Sequence, residues 1–385
     1  MNNKPNLRFK EFNDDWLTTT IGKVSQGSLS YGMNAAAKDF DGTNKYIRIT
    51  DIDEFSNKYL YNNVVSPAGK LDNNFLLKNN DIIFARTGAS TGKTYLYNPE
   101  DGILYYAGFL IKAHIKDDIC AKFIFYCTKL DKYKKWVSIT SLRSGQPGIN
   151  AQEYSNYKFK IPTLLEQEKI AGFLSKVDEL INECEGEVKD LEEQKKGLMQ
   201  KIFSQQTRFK DSNNNPYPDW EETKLEEIYN FKYGLYNNNP DNGGQYPVYG
   251  ANGVIGGYTE YNAENSVIIG HMGAYAGSVL FEKNKHFVTY NGTITTPKDI
   301  NKLNSKYGYF LLLNLNIRKI CDGSGQPFLS YDTLNRIKAK VSKNLEEQEK
   351  IAKVLSKMDE LIEEKKALLS DWQQFKKGLL QQMFV

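Results

Sequence analysis

Residues 166–181, Glu-Gln-Glu-Lys-Ile-Ala-Gly-Phe-Leu-Ser-Lys-Val-Asp-Glu-Leu-Ile, return at 347–362 with thirteen of sixteen positions identical. Composition alone would match roughly one. The copies extend further, to Lys195-Lys196-Gly197-Leu198 and Phe203 in the first and Lys376-Lys377-Gly378-Leu379 and Phe384 in the second, always 181 residues apart. A period of that length is far too long for a solenoid and marks a duplicated domain-plus-helix module. The chain must therefore fold as two similar halves.

Each copy carries apolar residues at alternating spacings of three and four. The first runs Ile170, Leu174, Val177, Ile181, Cys184, Val188, Leu191, Leu198 and Ile202; the second runs Ile351, Leu355, Met358, Ile362, Leu369, Trp372, Leu379 and Met383. This is a coiled-coil seam, and the pairing is expected through Leu174, Val177, Ile181, Val188, Leu191, Leu355, Met358, Ile362, Leu369 and Trp372. Thr163-Leu-Leu-Glu166 reads as a capping box that starts the first helix, and Asn344-Leu-Glu-Glu347 supplies the equivalent pair for the second. Lys195 and Lys376 fall at the same seam position, where a long side chain can snorkel out. Gly186, Gly197 and Gly378 each cost about 1 kcal/mol relative to alanine, so the sequence leaves open whether the last turns break at Lys-Lys-Gly or run through it. Unbroken, each helix would be about 60 Å long.

The blocks ahead of the helices open alike, with Arg8-Phe9-Lys10 and Asp15-Trp16 in one and Arg208-Phe209-Lys210 and Asp219-Trp220 in the other. Each tryptophan is expected to anchor the first element of its block. Short apolar runs bounded by Gly, Asn and Asp follow, at Lys45–Thr50, Asp81–Ala85, Tyr105–Ile111, Ser266–Ile269, Ser278–Phe281 and Gly292–Thr295, and read as strands. Ala121–Cys127 and Lys306–Leu313 read as helices. The expected fold is mixed α+β: two similar α/β domains, residues 1–160 and 205–343, separated by a long antiparallel two-helix coiled coil of residues 161–204 and 344–385 with a pseudo-twofold axis.

Net charge is only +3, but it is unevenly distributed. Residues 1–160 carry 22 basic and 16 acidic side chains and residues 205–343 carry 15 and 13, whereas residues 161–204 carry 6 and 10. Basic globular blocks that can meet phosphate alternate with an acidic helix better suited to protein partners. Two loops align between the blocks. Arg86-Thr-Gly88-Ala-Ser90-Thr-Gly92-Lys93 matches His271-Met-Gly273-Ala-Tyr275-Ala-Gly277-Ser278, and Arg143-Ser-Gly-Gln146-Pro147 matches Gly323-Ser324-Gly-Gln326-Pro327. The first resembles a P-loop, yet only three residues separate Gly88 from Gly92 where that motif requires four, and the second copy has no lysine. What remains is a glycine-rich turn after a strand, whose backbone N–H groups can approach a ligand closely.

No catalytic constellation is evident. Pro218-Asp219 and Glu222-Thr-Lys224 have the letters of a nuclease site but lie too close together, and Asn215-Pro216-Tyr217-Pro218 lacks the adjacent prolines of an amino-methyltransferase loop. Four cysteines without C-x-x-C spacing and three scattered histidines point to no zinc or other metal. The beginning of the sequence has no signal-peptide core and no run is long enough to cross a bilayer, so a cytoplasmic, non-membrane protein is expected.

At Leu165-Glu-Gln-Glu-Lys-Ile-Ala171 with Leu180-Ile181, and at Glu346-Glu-Gln-Glu-Lys-Ile-Ala352, the chain resembles the specificity subunits of type I restriction–modification enzymes. Gly-Gln-Pro before the helix, Ile161-Pro162, and Leu-x-x-x-Asp-x-x-Ile at Leu174–Ile181 belong to the same signature; Val341-Ser-Lys-Asn344 departs from it, lacking the usual prolines. The resemblance implies a non-catalytic subunit without cofactor of its own that reads a bipartite, asymmetric site in double-stranded DNA and docks two methylation subunits using S-adenosylmethionine. Motor–nuclease restriction subunits needing ATP and magnesium then join. The DNA-contacting candidates follow from the loops' chemistry: Arg86, Ser90, Lys93, Arg143 and Gln146 in the first domain, and His271, Tyr275, Ser324 and Gln326 in the second, can contact phosphates or base edges. A non-enzymatic coiled-coil scaffold holding two ligand-binding domains is the alternative.

Overall fold

The computed structural model describes residues 3–54, 56–321 and 327–385. It divides into two compact units, one of Met1–Glu183 with Leu368–Val385 and the other of Cys184–Ala367. Each unit thus contains one globular block together with parts of both repeat helices.

The helices span Leu164–Phe203 and Leu345–Gln382. They do not break at Lys-Lys-Gly: Gly197 and Gly378 lie inside them, and a Cβ at either would meet nothing within 4 Å. The propensity cost of one glycine is small against the burial of the seam on either side of it.

In the first unit, Leu174, Val177 and Ile181 share a core with Leu379, Met383 and Phe384, with Leu369 and Trp372 packed against it. In the second, Met199, Ile202 and Phe203 share a core with Ile351, Ala352 and Leu355; Val188 and Ile362 are buried as well, while Leu191 and Met358 are partly buried. Within that unit Glu187 bonds Lys365 at 2.6 Å and Lys195 bonds Asp359, so one helix rises in sequence as its neighbour falls: the pair is antiparallel.

Each block is built on a four-stranded antiparallel sheet. In the first unit the strands are β1 (Ser30–Tyr31), β2 (Asp81–Ala85), β3 (Thr94–Leu96) and β4 (Leu110–His114), in the order β1-β4-β2-β3. In the second they are β5 (Tyr229–Tyr233), β6 (Ser266–Gly270), β7 (Val279–Glu282) and β8 (Gly292–Pro297), in the matching order β5-β8-β6-β7. The central strand β2 is buried on both faces, and its period of two sends Ile82 and Phe84 to a core with helix Ala121–Cys127 and Ile83 and Ala85 to a second core. In β6, Val267 and Ile269 likewise face the core of helix Ser305–Asn314 while Ile268 faces another. The run Tyr105–Ile111 is two strands rather than one, Leu104–Tyr106 parallel to Lys45–Ile47, and then β4. The chain jogs between them where Gly32 abuts the Ala107 carbonyl.

A strand just after each tryptophan, Leu17–Thr20 or Glu221–Lys224, pairs antiparallel with the strand just before each long helix, Lys158–Ile161 or Lys338–Val341. The helix then enters through its Glu-Gln pair. The Arg8 guanidinium donates twice to Glu166, both at 2.8 Å, and the Trp16 indole donates to it at 3.3 Å. Arg208 and Trp220 hold Glu347 the same way, at 3.1, 3.2 and 2.9 Å. Both glutamates are 1% exposed, and a charge buried so deeply requires such partners. The glutamines complete the joint. The Gln167 amide donates to Pro162 O and accepts from the Cys120 N–H, while Gln348 donates to Ser342 O and accepts from the Asn304 N–H. The capping-box expectation is therefore corrected: Glu166 faces the arginine and tryptophan instead of its helix start, because an ion pair and an indole donor outweigh one backbone N–H. Asn344 does cap the second helix, accepting from the Glu347 N–H at 3.1 Å.

Candidate nucleic-acid interface

The glycine-rich turn after β2 joins it to β3, and the turn after β6 joins it to β7. Both have the same internal bonding. Gly92 N–H donates to Ala85 O and Lys93 N–H to Ser90 O; Gly277 N–H donates to Gly270 O and Ser278 N–H to Tyr275 O. Gly88 and Gly92 have φ of 78° and 90°, and Gly273 and Gly277 have 79° and 78°, a left-handed region that excludes most side chains. The second loop docks on the first identically in both units. Gly88 N–H donates to Pro147 O at 3.0 Å and Ile149 N–H to Arg86 O at 2.9 Å; Gly273 N–H donates to Pro327 O at 2.9 Å and Leu329 N–H to His271 O at 2.9 Å. Two loops far apart in sequence thus form one platform per unit.

The candidate residues occupy these platforms in different ways. Arg86 lies half-buried with its guanidinium 4.9 Å from the centroid of the Tyr31 ring. Gln146 reaches over Gly88, its amide nitrogen 3.3 Å from where a Cβ would stand. Ser90 is half-buried in the turn. Lys93 turns inward, bonded to Glu54 at 2.5 Å and to the Ile52 carbonyl at 3.1 Å, with its side chain 10% exposed. Arg143 forks onto Glu153 at 2.6 and 2.7 Å. In the second unit Tyr275 is exposed, whereas His271 is 7% exposed between the rings of Tyr233 and Phe328, at 4.3 and 4.9 Å. Ser324 and Gln326 lie outside the described residues.

A further shared feature is a Tyr-Gly pair at the end of the first sheet strand, Tyr31-Gly32 and Tyr233-Gly234. A Cβ on Gly32 would stand 2.2 Å from the Ala107 carbonyl oxygen and one on Gly234 2.2 Å from that of Thr289, so both positions require glycine for close backbone approach. The tyrosines then carry the residue after the central strand, Arg86 on Tyr31 and His271 on Tyr233. Tyr331 stacks on Tyr233 with centroids 3.9 Å apart, and burial pushes both phenols above their ordinary range. Each platform is flanked by exposed aromatic residues, Phe109 at 61% in the first unit and Tyr236 at 76% beside Tyr290 in the second. The Tyr-Gly repeat is readable in the sequence, but as two matching letters in otherwise diverged blocks.

The platforms can present backbone N–H groups, a stacked cation and flat rings to a polyanion with aromatic bases. Among the described residues no group of three or more His, Cys, Asp or Glu could hold a metal ion, and no helix is long and apolar enough to cross a membrane.

The model of the type I restriction modification DNA specificity domain matches residues 13–193 and 217–370. The chain is 25% identical over 412 aligned residues to the type I restriction enzyme MjaVIII specificity subunit of Methanocaldococcus jannaschii, covering 95% of this chain and 91% of that one. It is 29% identical over 154 residues to the putative MjaX specificity subunit of the same organism, covering 38% and 36%. In fold it is similar to the crystal structure of the type I restriction–modification S subunit from M. genitalium, with a TM-score of 0.68, 20% identity and 99% of both chains covered. A chain of a type I restriction–modification system, solved in work on complex assembly and conformational transition, is similar with a TM-score of 0.55 at 15% identity, covering 95% of this chain and 96% of that one. The chain belongs to the family of type I restriction–modification specificity subunits.

Proposed function

We propose that this specificity subunit reads a bipartite DNA sequence, one part per platform, and that it contributes binding and assembly but no chemistry. The observation that carries this reading is the doubled platform: two loop pairs with the same backbone hydrogen bonds but different side chains at aligned positions, Arg86 against His271, Ser90 against Tyr275 and Lys93 against Ser278, beside the Ser-Gly-Gln-Pro that both second loops share, which holds the candidates Gln146, Ser324 and Gln326. Common backbone with divergent side chains is what two readers of different base sequences require, since backbone contacts position and side chains specify. The near-neutral total charge favours partners that help to clamp the duplex.

In this reading the repeat helices have two roles: they set the gap between the two parts of the site, and their acidic outer surface docks two methylation subunits. Those subunits bring S-adenosylmethionine, and motor–nuclease subunits bring ATP and magnesium. The test is co-expression with the methylation subunit in a host lacking its own modification, followed by methylome sequencing. New adenine methylation at one two-part motif with a constant spacer supports the reading; the absence of any new modified motif refutes it.

A further inference from the structure

We propose that Arg86 reads a guanine in the part of the site contacted by the first domain, and that the second domain makes no equivalent contact from the same position; this rests on the DNA-reading function proposed above. Three cations are available on the first domain's two loops. Lys93 is neutralised by Glu54 and turned toward the Ile52 carbonyl, and both donors of one Arg143 nitrogen go to Glu153. Arg86 alone has no carboxylate partner among the described residues.

Its position is fixed at both ends. The Arg86 N–H donates to Phe109 O and its carbonyl accepts from Ile149 N–H, so the backbone is held by the sheet on one side and by the second loop on the other. The guanidinium lies over Tyr31, whose hydroxyl accepts from the Ala151 N–H at 3.2 Å and so fixes the ring in turn. A planar guanidinium carries its N–H donors at its edge, in the plane of the fork. Two parallel donors in that plane match the O6 and N7 acceptors of guanine in the major groove, a match that lysine cannot reproduce. Holding the fork in place beforehand reduces the entropy lost on binding. Gln146 stands on the adjoining loop, and Phe109, whose carbonyl accepts from the Arg86 N–H, is exposed.

The second platform lacks this device. His271 occupies the equivalent place, but its ring is packed between Tyr233 and Phe328 with Nδ1 3.3 Å from Leu329 O, and it presents no edge to a base. Guanine selection from this position is thus confined to one of the two parts.

The experiment compares wild type, Arg86→Ala and Arg86→Lys in the full methylation complex, by methylome sequencing and by methylation rates on duplexes with each base substituted in turn. The expected wild-type motif contains, in one part, a guanine preferred over other bases by roughly ten- to a hundredfold. In both variants that single position becomes degenerate while the other part and the spacer stay unchanged. Arg86→Lys is decisive because it keeps the positive charge: a mere phosphate contact would survive it. Variants that slow methylation uniformly without changing the motif, or that relax a position other than guanine, overturn the proposal. A wild-type complex with no motif at all overturns the DNA-reading function instead.

Discussion

The Lys376 ammonium lies 2.5 Å from a carboxylate oxygen of Asp178. Both residues recur 181 positions away as Lys195 and Asp359, which are bonded to each other in the other unit. One lysine comes from the end of a helix copy and its aspartate from the start of the other copy, so each unit repeats the same crossed pairing. The lysine at this seam position is thus held by a carboxylate of the neighbouring helix. Asp178 also accepts from the Tyr126 hydroxyl at 2.6 Å, which ties the helix pair to the first domain. These side chains are 27% and 31% exposed, so the coupling is modest. A double-mutant cycle on Lys376→Ala and Asp178→Ala is expected to give about 1 kcal/mol, with a coupling of the same sign for Lys195 and Asp359. Denaturant unfolding measures it.

Glu166 should matter far more. Replacing it with glutamine leaves the Arg8 guanidinium without its counter-charge in a buried joint, and breaking such a pair from one side costs about 3–5 kcal/mol. Glu166→Gln and Glu347→Gln are expected to lower stability by comparable amounts, read by thermal or denaturant unfolding. Exposed Glu179→Gln serves as the silent control.

Gly32→Ala and Gly234→Ala each push a methyl group against a backbone carbonyl that cannot move independently. Overpacking costs about 1–3 kcal/mol, and contact with backbone places these two at the upper end. In the reading proposed here they also displace Tyr31 and Tyr233 and weaken methylation of the corresponding part of the site. Unfolding curves and methylation assays together check this.

His286 gives the second unit an acid sensitivity. It is fully buried, with Nε2 2.9 Å from Ser266 Oγ and Nδ1 2.7 Å from Asn284 O, the arrangement of a neutral ring donating through Nδ1. Burial holds its pKa below the ordinary 6.5. The unfolded chain therefore binds a proton that the folded one resists: stability from this group is complete above pH 6.5 and is lost as pH falls through the folded value. Melting temperatures from pH 7.5 to 5 should fall more steeply for wild type than for His286→Gln.

Much of this was legible in the sequence, for reasons that differ by residue. The seam through Leu174, Val177, Leu355 and Ile362 is a local periodicity, and strands such as Asp81–Ala85 are dense apolar runs between turn formers. The loop alignment was legible because both turns need glycine at the same two places. The partner of Glu166 was not: Arg8 lies 158 residues away, and the local letters spelled a capping box. Nor was the neutralisation of Lys93 by Glu54 or of Arg143 by Glu153, because ion pairing depends on how loops close. The break in Tyr105–Ile111 is a tight turn in which the Leu110 N–H donates to Ala107 O, and Gly108 inside the run is its local signal.

In the reading proposed here, the repeat helices set the spacer between the two parts of the DNA site. Equal seven-residue deletions in both helices, residues 184–190 and 364–370, keep the heptad phase while shortening each by about 10 Å. Methylome sequencing of the resulting complex should show both parts of the motif unchanged and the spacer shorter by roughly three base pairs, at about 3.4 Å per pair. An unchanged spacer with full methylation would contradict the account.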